Sequence, residues 1–155
     1  FMNLYGYEEN DVKDKIDNYY NKGKDIIEYE DNFWANMIKT SGDSSFVIDG
    51  KNGPERKTMV LFMSGKTRSI YFKSLIGTDI KNVAVFKKIP NVDIKDRKAK
   101  VWNISVYNVN IEDDKVFHVG NYLKKTYKTA GGHAGAGGST VSNYQFNKIM
   151  KTHKI

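Results

Sequence analysis

Five of the chain's thirteen glycines and one of its three histidines fall between Gly131 and Gly138, in the stretch Thr129-Ala130-Gly131-Gly132-His133-Ala134-Gly135-Ala136-Gly137-Gly138-Ser139-Thr140. Residues of these types at this spacing suit anion recognition. Glycine leaves backbone N–H groups unshielded, and a lone imidazole supplies a hydrogen bond to a phosphate oxygen. Apolar helical patterns flank the stretch on both sides, whereas a flexible linker lies between shifts in composition, so an ordered loop facing a ligand is expected. The other histidines, His118 and His153, have no Asp or Glu at metal-ligand spacing. His118 precedes a helical pattern and reads as a cap.

Positive charge surrounds the loop. The net charge of +7 is unevenly distributed: residues 1 to 40 hold nine acidic and five basic side chains, residues 41 to 155 nine acidic and twenty basic. No carboxylate side chain follows Asp114, while seven lysines do. The basic part is therefore the candidate for polyanion contact, with Lys124, Lys125, Lys128, Arg68 and Lys73 as cations able to track a phosphate backbone. Cysteine is absent, which excludes disulfide scaffolds, thiolate metal sites and thiol nucleophiles. No apolar run is long enough to cross a bilayer and the N-terminus lacks signal-peptide order, so a cytoplasmic protein without a membrane partner is expected. Phe1 ahead of Met2 points to a fragment of a longer protein.

The elements that must position these residues follow from periodicity. From Glu8 to Thr40, Val12, Ile16, Tyr19, Tyr20, Ile26, Ile27, Phe33, Trp34, Met37 and Ile38 recur at three- and four-residue intervals, giving one or two amphipathic helices with a break at Gly23. Short β-type runs follow: Ser45 to Ile48, Thr58 to Met63, Ser69 to Phe72, Asn82 to Lys87 and Lys100 to Val109. In the last of these, Val101, Asn103, Ser105, Tyr107 and Val109 share one face, and Trp102, Ile104, Val106 and Asn108 the other. One face is thus partly polar and open to a ligand. A turn at Asp113-Asp114, a helix over 117–128, the glycine loop, a strand near Ser139 to Val141 and a helix from Asn143 complete the order. Trp34 and Trp102 read as core residues. Ser64-Gly65-Lys66-Thr67 shares its end with phosphate-binding loops but lacks their leading glycine and joins two strand-type runs, so a hairpin turn is expected. The fold class is α/β, a single mixed central sheet flanked by helices, with residues 1–42 as a helical arm or interdomain linker and 43–155 as the main domain.

This order, with Gly131-Gly132-His133 and Gly135-Ala136-Gly137 at its centre, resembles the DHH-associated C-terminal domain of the DHH-family phosphoesterases, which include RecJ-like exonucleases and nanoRNA and cyclic-dinucleotide phosphodiesterases. Ala130 replaces the first glycine of the family's Gly-Gly-Gly-His motif. The preceding strand matches the family's Ser-x-Arg-Ser pattern as Ser105-Val106-Tyr107-Asn108, with Tyr107 in place of the phosphate-contacting arginine and suited to stacking on a base.

The resemblance implies a substrate-binding domain that contacts a nucleotide or short single-stranded nucleic acid through Gly131, Gly132, His133, Gly135, Ala136, Gly137, Ser105 and Tyr107. It implies no catalytic residue and no metal or cofactor in this chain; Mn or Mg would belong to an N-terminal DHH catalytic domain absent from it. On that view the chain alone is inactive, and the helical arm connects to the missing domain or self-associates into a homodimer. A stand-alone RNA- or DNA-binding module is the alternative, and an autonomous hydrolase with His133 as base is a third reading that the carboxylate-free last 41 residues disfavour.

Overall fold

The computed structural model describes residues 9–40, 45–48 and 55–153. Helix α1 (Glu9–Thr40) leads into a six-stranded sheet built from β1 (Ser45–Ile48), β2 (Arg56–Phe62), β3 (Asn82–Lys88), β4 (Lys100–Asn108), β5 (Gly131–Gly132) and β6 (Ala136–Ser142), in the spatial order β1-β2-β3-β4-β6-β5. Helices α2 (Val119–Thr126) and α3 (Asn143–His153) flank it. Among the described residues, β2 and β3 form the only parallel pair. The expected α/β class, one mixed sheet flanked by helices after an N-terminal helix, is what forms. Glu8, where the helical pattern begins in the sequence, lies outside the described residues.

A parallel pair needs a crossover, and this settles two local differences from the sequence reading. Ser69 to Phe72 is not a strand. It belongs to a 3-10 helix, Ser69–Leu75, because the three-residue repeat buries Phe72 and Leu75 together against α1. For the same reason Ser64–Thr67 is not a hairpin turn but the start of the crossover. The helix α1 also runs unbroken through Gly23, where an added Cβ would meet nothing within 4 Å and the cost of glycine is about 1 kcal/mol.

Each face of the sheet buries its own cluster. Val60, Ala84, Phe86, Ile104, Val106 and Val141 pack under α2 and α3 with Phe117, Val119 and Leu123. Leu61, Val83, Val85 and Val109 pack under Trp34 and Ile38 of α1 and Phe72 and Leu75 of the crossover. Trp34 stacks on Tyr71 with ring centroids 4.5 Å apart, and Trp102 stacks on Phe146 at 4.2 Å, so both tryptophans are structural. The start of α3 is a capping box in which Ser142 Oγ accepts from Gln145 N and Gln145 Oε1 accepts from Ser142 N.

The second cluster reaches β4 at Tyr107, which packs against Phe72, and ends at Val109 just beyond the strand. Beside Tyr107 the same face of β4 and β6 presents Asn103 beside Thr140 and Ser105 beside Gly138, outside that cluster. The upstream part of α1 is also uncovered: Ile16, Tyr19, Tyr20, Ile26, Ile27 and Tyr29 are 61–73% exposed. Anchorage of α1 thus rests on its last two turns. Trp34→Ala is expected to lower the stability of the fold by about 3–5 kcal/mol in urea unfolding, and Tyr19→Ala to change it by less than about 0.5 kcal/mol. Equal losses would mean that the whole helix packs on the domain.

Candidate functional site

The glycine-rich stretch is an ordered hairpin. β5 and β6 pair Gly131 with Gly138 and Gly132 with Gly137, and His133 N donates to Ala136 O at 2.8 Å to close the turn. The loop then carries the start of α2: Val119 N and Gly120 N donate to Ala134 O and His133 O at 2.9 and 3.0 Å, and Asn121 N donates to His118 Nδ1. His118 is the cap of that helix, as its position suggests.

These contacts change what the glycines are for. Gly132 sits at φ +148°, and a Cβ there would lie 2.4 Å from Gly137 Cα. At Gly120 a Cβ would lie 2.6 Å from the Gly132 carbonyl, and at Gly135 it would lie 2.7 Å from Asp114 Oδ2. The glycines let a helix and a carboxylate lie directly on the hairpin backbone. The expectation that the loop's N–H groups face a phosphate is corrected accordingly for two of them, since His133 N serves Ala136 O and Gly135 N donates to His133 Nδ1 at 3.2 Å. That last bond places the neutral ring's proton on Nε2, leaving Nε2–H as its donor.

A polar ladder buried at one end of the sheet fixes the loop's position. Arg56 Nε donates to Asn82 Oδ1 and its Nη2 pairs with Asp113, while its guanidinium lies 5.0 Å from the centroid of Phe117. Asn82 Nδ2 donates to Asn108 Oδ1 on the neighbouring strand at 2.8 Å. Asn108 Nδ2 donates to Asp114 Oδ1, Phe117 O and Ala134 O, and Asn108 N donates to Gly135 O at 2.8 Å. The sequence reading did not name Arg56, and it placed Asn82 and Asn108 in strands and Asp113-Asp114 in a turn without joining them into a network. A periodic signal was available, since Arg56, Asn82 and Asn108 are polar residues at the ends of otherwise apolar strand patterns.

Over the uncovered face of β4 lies a groove of two compartments, each about 560 Å³, which share Arg68 and Tyr107. The first brings His133, Gly135 and Ala136 together with Tyr107, Asp114 and a wall of Ile70, Ile76 and Ile111. The second lies over Asn103, Ser105, Gly138 and Thr140, beside Lys66 and Lys87. Tyr107 divides them: its ring rests against Phe72 and its hydroxyl bonds to Thr67 Oγ1 at 2.7 Å, so one ring face is occupied by the protein and only the rest is free to stack on a base. Of the sequence candidates, His133, Gly135, Ala136, Ser105 and Tyr107 meet in this groove. Gly131, Gly132 and Gly137 support it from the hairpin and do not line it.

Among the cations, Arg68 lines both compartments. Lys73 lines the first but pairs with Asp31 of α1 at 2.6 Å. Lys124, Lys125 and Lys128, near the end of α2, are exposed and line neither compartment. Among the described residues, no group of three or more His, Asp or Glu side chains is placed to hold a metal ion. Burial pushes the Tyr127 hydroxyl up to about 12, away from the groove under α2 and α3.

No family model matches the chain, and no curated protein is significantly similar to it. Among solved structures it is similar to PggH of Vibrio cholerae, a pGpG-specific phosphodiesterase, at a TM-score of 0.48 and 11% identity. The matched region covers 81% of this chain and 37% of that one, so the chain spans little more than a third of that protein's length.

The two hairpin glycines respond differently to a methyl group. Gly131, where a Cβ meets nothing within 4 Å, is expected to tolerate alanine within about 1 kcal/mol, whereas Gly132→Ala is expected to cost more than about 2 kcal/mol through its backbone angle and the contact with Gly137. Thermal unfolding of the two variants checks this, and equal tolerance would remove the packing account of Gly132.

Proposed function

We propose that the chain is a substrate-binding domain for a nucleotide or a short single-stranded nucleic acid, belonging to a DHH-type phosphoesterase whose catalytic domain is a separate segment. The observation that carries this reading is the meeting of His133, Arg68 and Tyr107 with an isoleucine wall in one compartment of the groove. Each supplies a different element of nucleotide recognition. Arg68 supplies a planar guanidinium for a phosphate, and His133 Nε2–H a hydrogen bond to a phosphate oxygen. Ile70, Ile76 and Ile111, which are 63%, 52% and 79% exposed, offer an apolar surface to a base in the compartment that Tyr107 also lines.

The role assigned to these residues is binding and orientation, not bond cleavage. Mn or Mg, on this reading, belongs to the catalytic domain, and the uncovered apolar stripe of α1 is where that domain, or a second copy of the chain, packs. The cytoplasm is the compartment in which such substrates are met. No helix among the described residues is long and apolar enough to cross a membrane.

Fluorescence titration with a short single-stranded RNA at two salt concentrations tests the reading. Affinity is expected to fall as salt rises, and His133→Ala to weaken binding about tenfold or more, as loss of a hydrogen bond to a charged group does. Binding that is indifferent to His133 would remove the loop from the site. Tight binding of long RNA with no preference for short strands would favour a stand-alone nucleic-acid-binding module.

A further inference from the structure

The Ser64–Arg68 crossover, which neither the glycine loop nor the family resemblance accounts for, lies against the second compartment. We propose that Lys66, Arg68 and Lys87 form a separate oxyanion subsite that holds a phosphate next to the one met by His133. The subsite rests on the reading above only for the source of its phosphate.

Charge is the first argument. Three cations converge on one compartment whose other lining groups are neutral: the amide of Asn103 and the hydroxyls of Ser105, Thr129 and Thr140 among them. No carboxylate lines it. Elsewhere Arg56, Lys57, Lys73 and Lys115 each pair with Asp or Glu, but among the described residues no ion pair is made by Lys66, Arg68 or Lys87. Gathering like charges without a counter-ion raises the energy of the unliganded fold, and an anion relieves it.

Position is the second argument. Lys66 and Arg68 flank Thr67, whose Oγ1 bonds to Tyr107 Oη and whose carbonyl accepts from the same hydroxyl at 3.2 Å, so the two cations leave an anchored point of the backbone. Arg68 O then accepts from Tyr71 N as the 3-10 helix begins. Lys87 rises from the floor, half-buried and paired across the ladder with Asn103. Opposite Ser105 the floor carries Gly138, which adds no side chain to the compartment. Arg68 and Tyr107 belong to both compartments, so an anion here lies next to, and not within, the His133 compartment.

The chemistry recognised is a phosphoryl group, and its source is the backbone of a strand that continues past Tyr107, not a free phosphate ion. Inorganic phosphate is the probe for the subsite itself. In a titration of the full 15N-labelled chain, matched in ionic strength with chloride, the amides of Gly65 to Arg68 and of Lys87 are expected to shift saturably. Lys66→Ala and Lys87→Gln should each weaken that response at least fivefold, while Lys124→Ala, at an exposed lysine that lines neither compartment, leaves it unchanged. Shifts that chloride reproduces, or that survive both lysine substitutions, would overturn the subsite. The source is read with RNA: Lys66→Ala should lower affinity for a trinucleotide and reduce its log–log salt slope by about one, without altering affinity for a mononucleotide. Equal loss for both ligands would overturn the assignment to a continuing strand. A phosphate response without any RNA binding would retain the subsite and reject the nucleic-acid reading.

Discussion

The interaction on which the rest of the structure depends is the buried ladder from Asp113 through Arg56 and Asn82 to Asn108. Arg56 is 5% exposed and Asn82 is fully buried, so both leave water only because each polar group finds a partner. The consequence is geometric. Asn108 ends the ladder by binding Asp114, Phe117 O and Ala134 O through one amide group, which holds the acidic turn, the approach to α2 and the glycine hairpin to the end of β4. A hydrophobic core resists a one-residue slip, which turns every side chain to the other face, but discriminates less against a slip of two. A satisfied polar network resists both, because either leaves several buried donors unpaired.

With the ladder in place, the hairpin can serve as both a support and a wall. Its carbonyls receive the first amides of α2, so the positive end of that short helix is already used by the protein and is not offered to an anion. The imidazole of His133 is held by Gly135 N and presents its other nitrogen. Glycine here reflects close approach between parts of the chain: Gly120 to Gly132, Gly132 to Gly137, and Gly135 to the Asp114 carboxylate. The loop's composition therefore has a folding cause, and its connection to the groove passes through the side chain of His133 and the backbone of Gly135 and Ala136.

Much of the fold was legible because it is written in period. The recurrence of Trp34, Met37 and Ile38 at the end of α1, the two-residue alternation of β4 and the apolar stripe of α2 all follow from which side chains face the two clusters. The open part of this face of β4 could be read from Asn103 and Ser105, which lie outside the apolar cluster that Tyr107 packs against. What stayed hidden has tertiary causes. Ser69 to Phe72 has strand composition, yet Phe72 and Leu75 must reach Trp34 and Ile38, and a three-residue repeat does this where alternation would not. The parallel pairing of β2 and β3 has no local signature, so the role of Ser64–Arg68 as a crossover could not be seen beforehand. The partnership of Arg56 with Asp113 spans 57 residues and leaves no trace in spacing.

The charge asymmetry of the chain acquires a spatial meaning in the groove. The acidic segment is α1, and its Asp31 reaches the crossover to pair with Lys73, so one cation of the His133 compartment is compensated by the helix and Asp114 contributes a carboxylate to the same compartment. With the isoleucine wall, that compartment combines modest charge with apolar surface. The compartment next to it has three cations and no acid. On the proposed reading the base lies against the isoleucine wall with its phosphate beside His133 and Arg68, and a strand that continues past Tyr107 runs toward the compartment with cations and no acid. The acidic helix thus does more than extend the fold: by compensating Lys73 while, among the described residues, no ion pair is made by Lys66, Arg68 or Lys87, it shifts the balance of positive charge toward the second compartment.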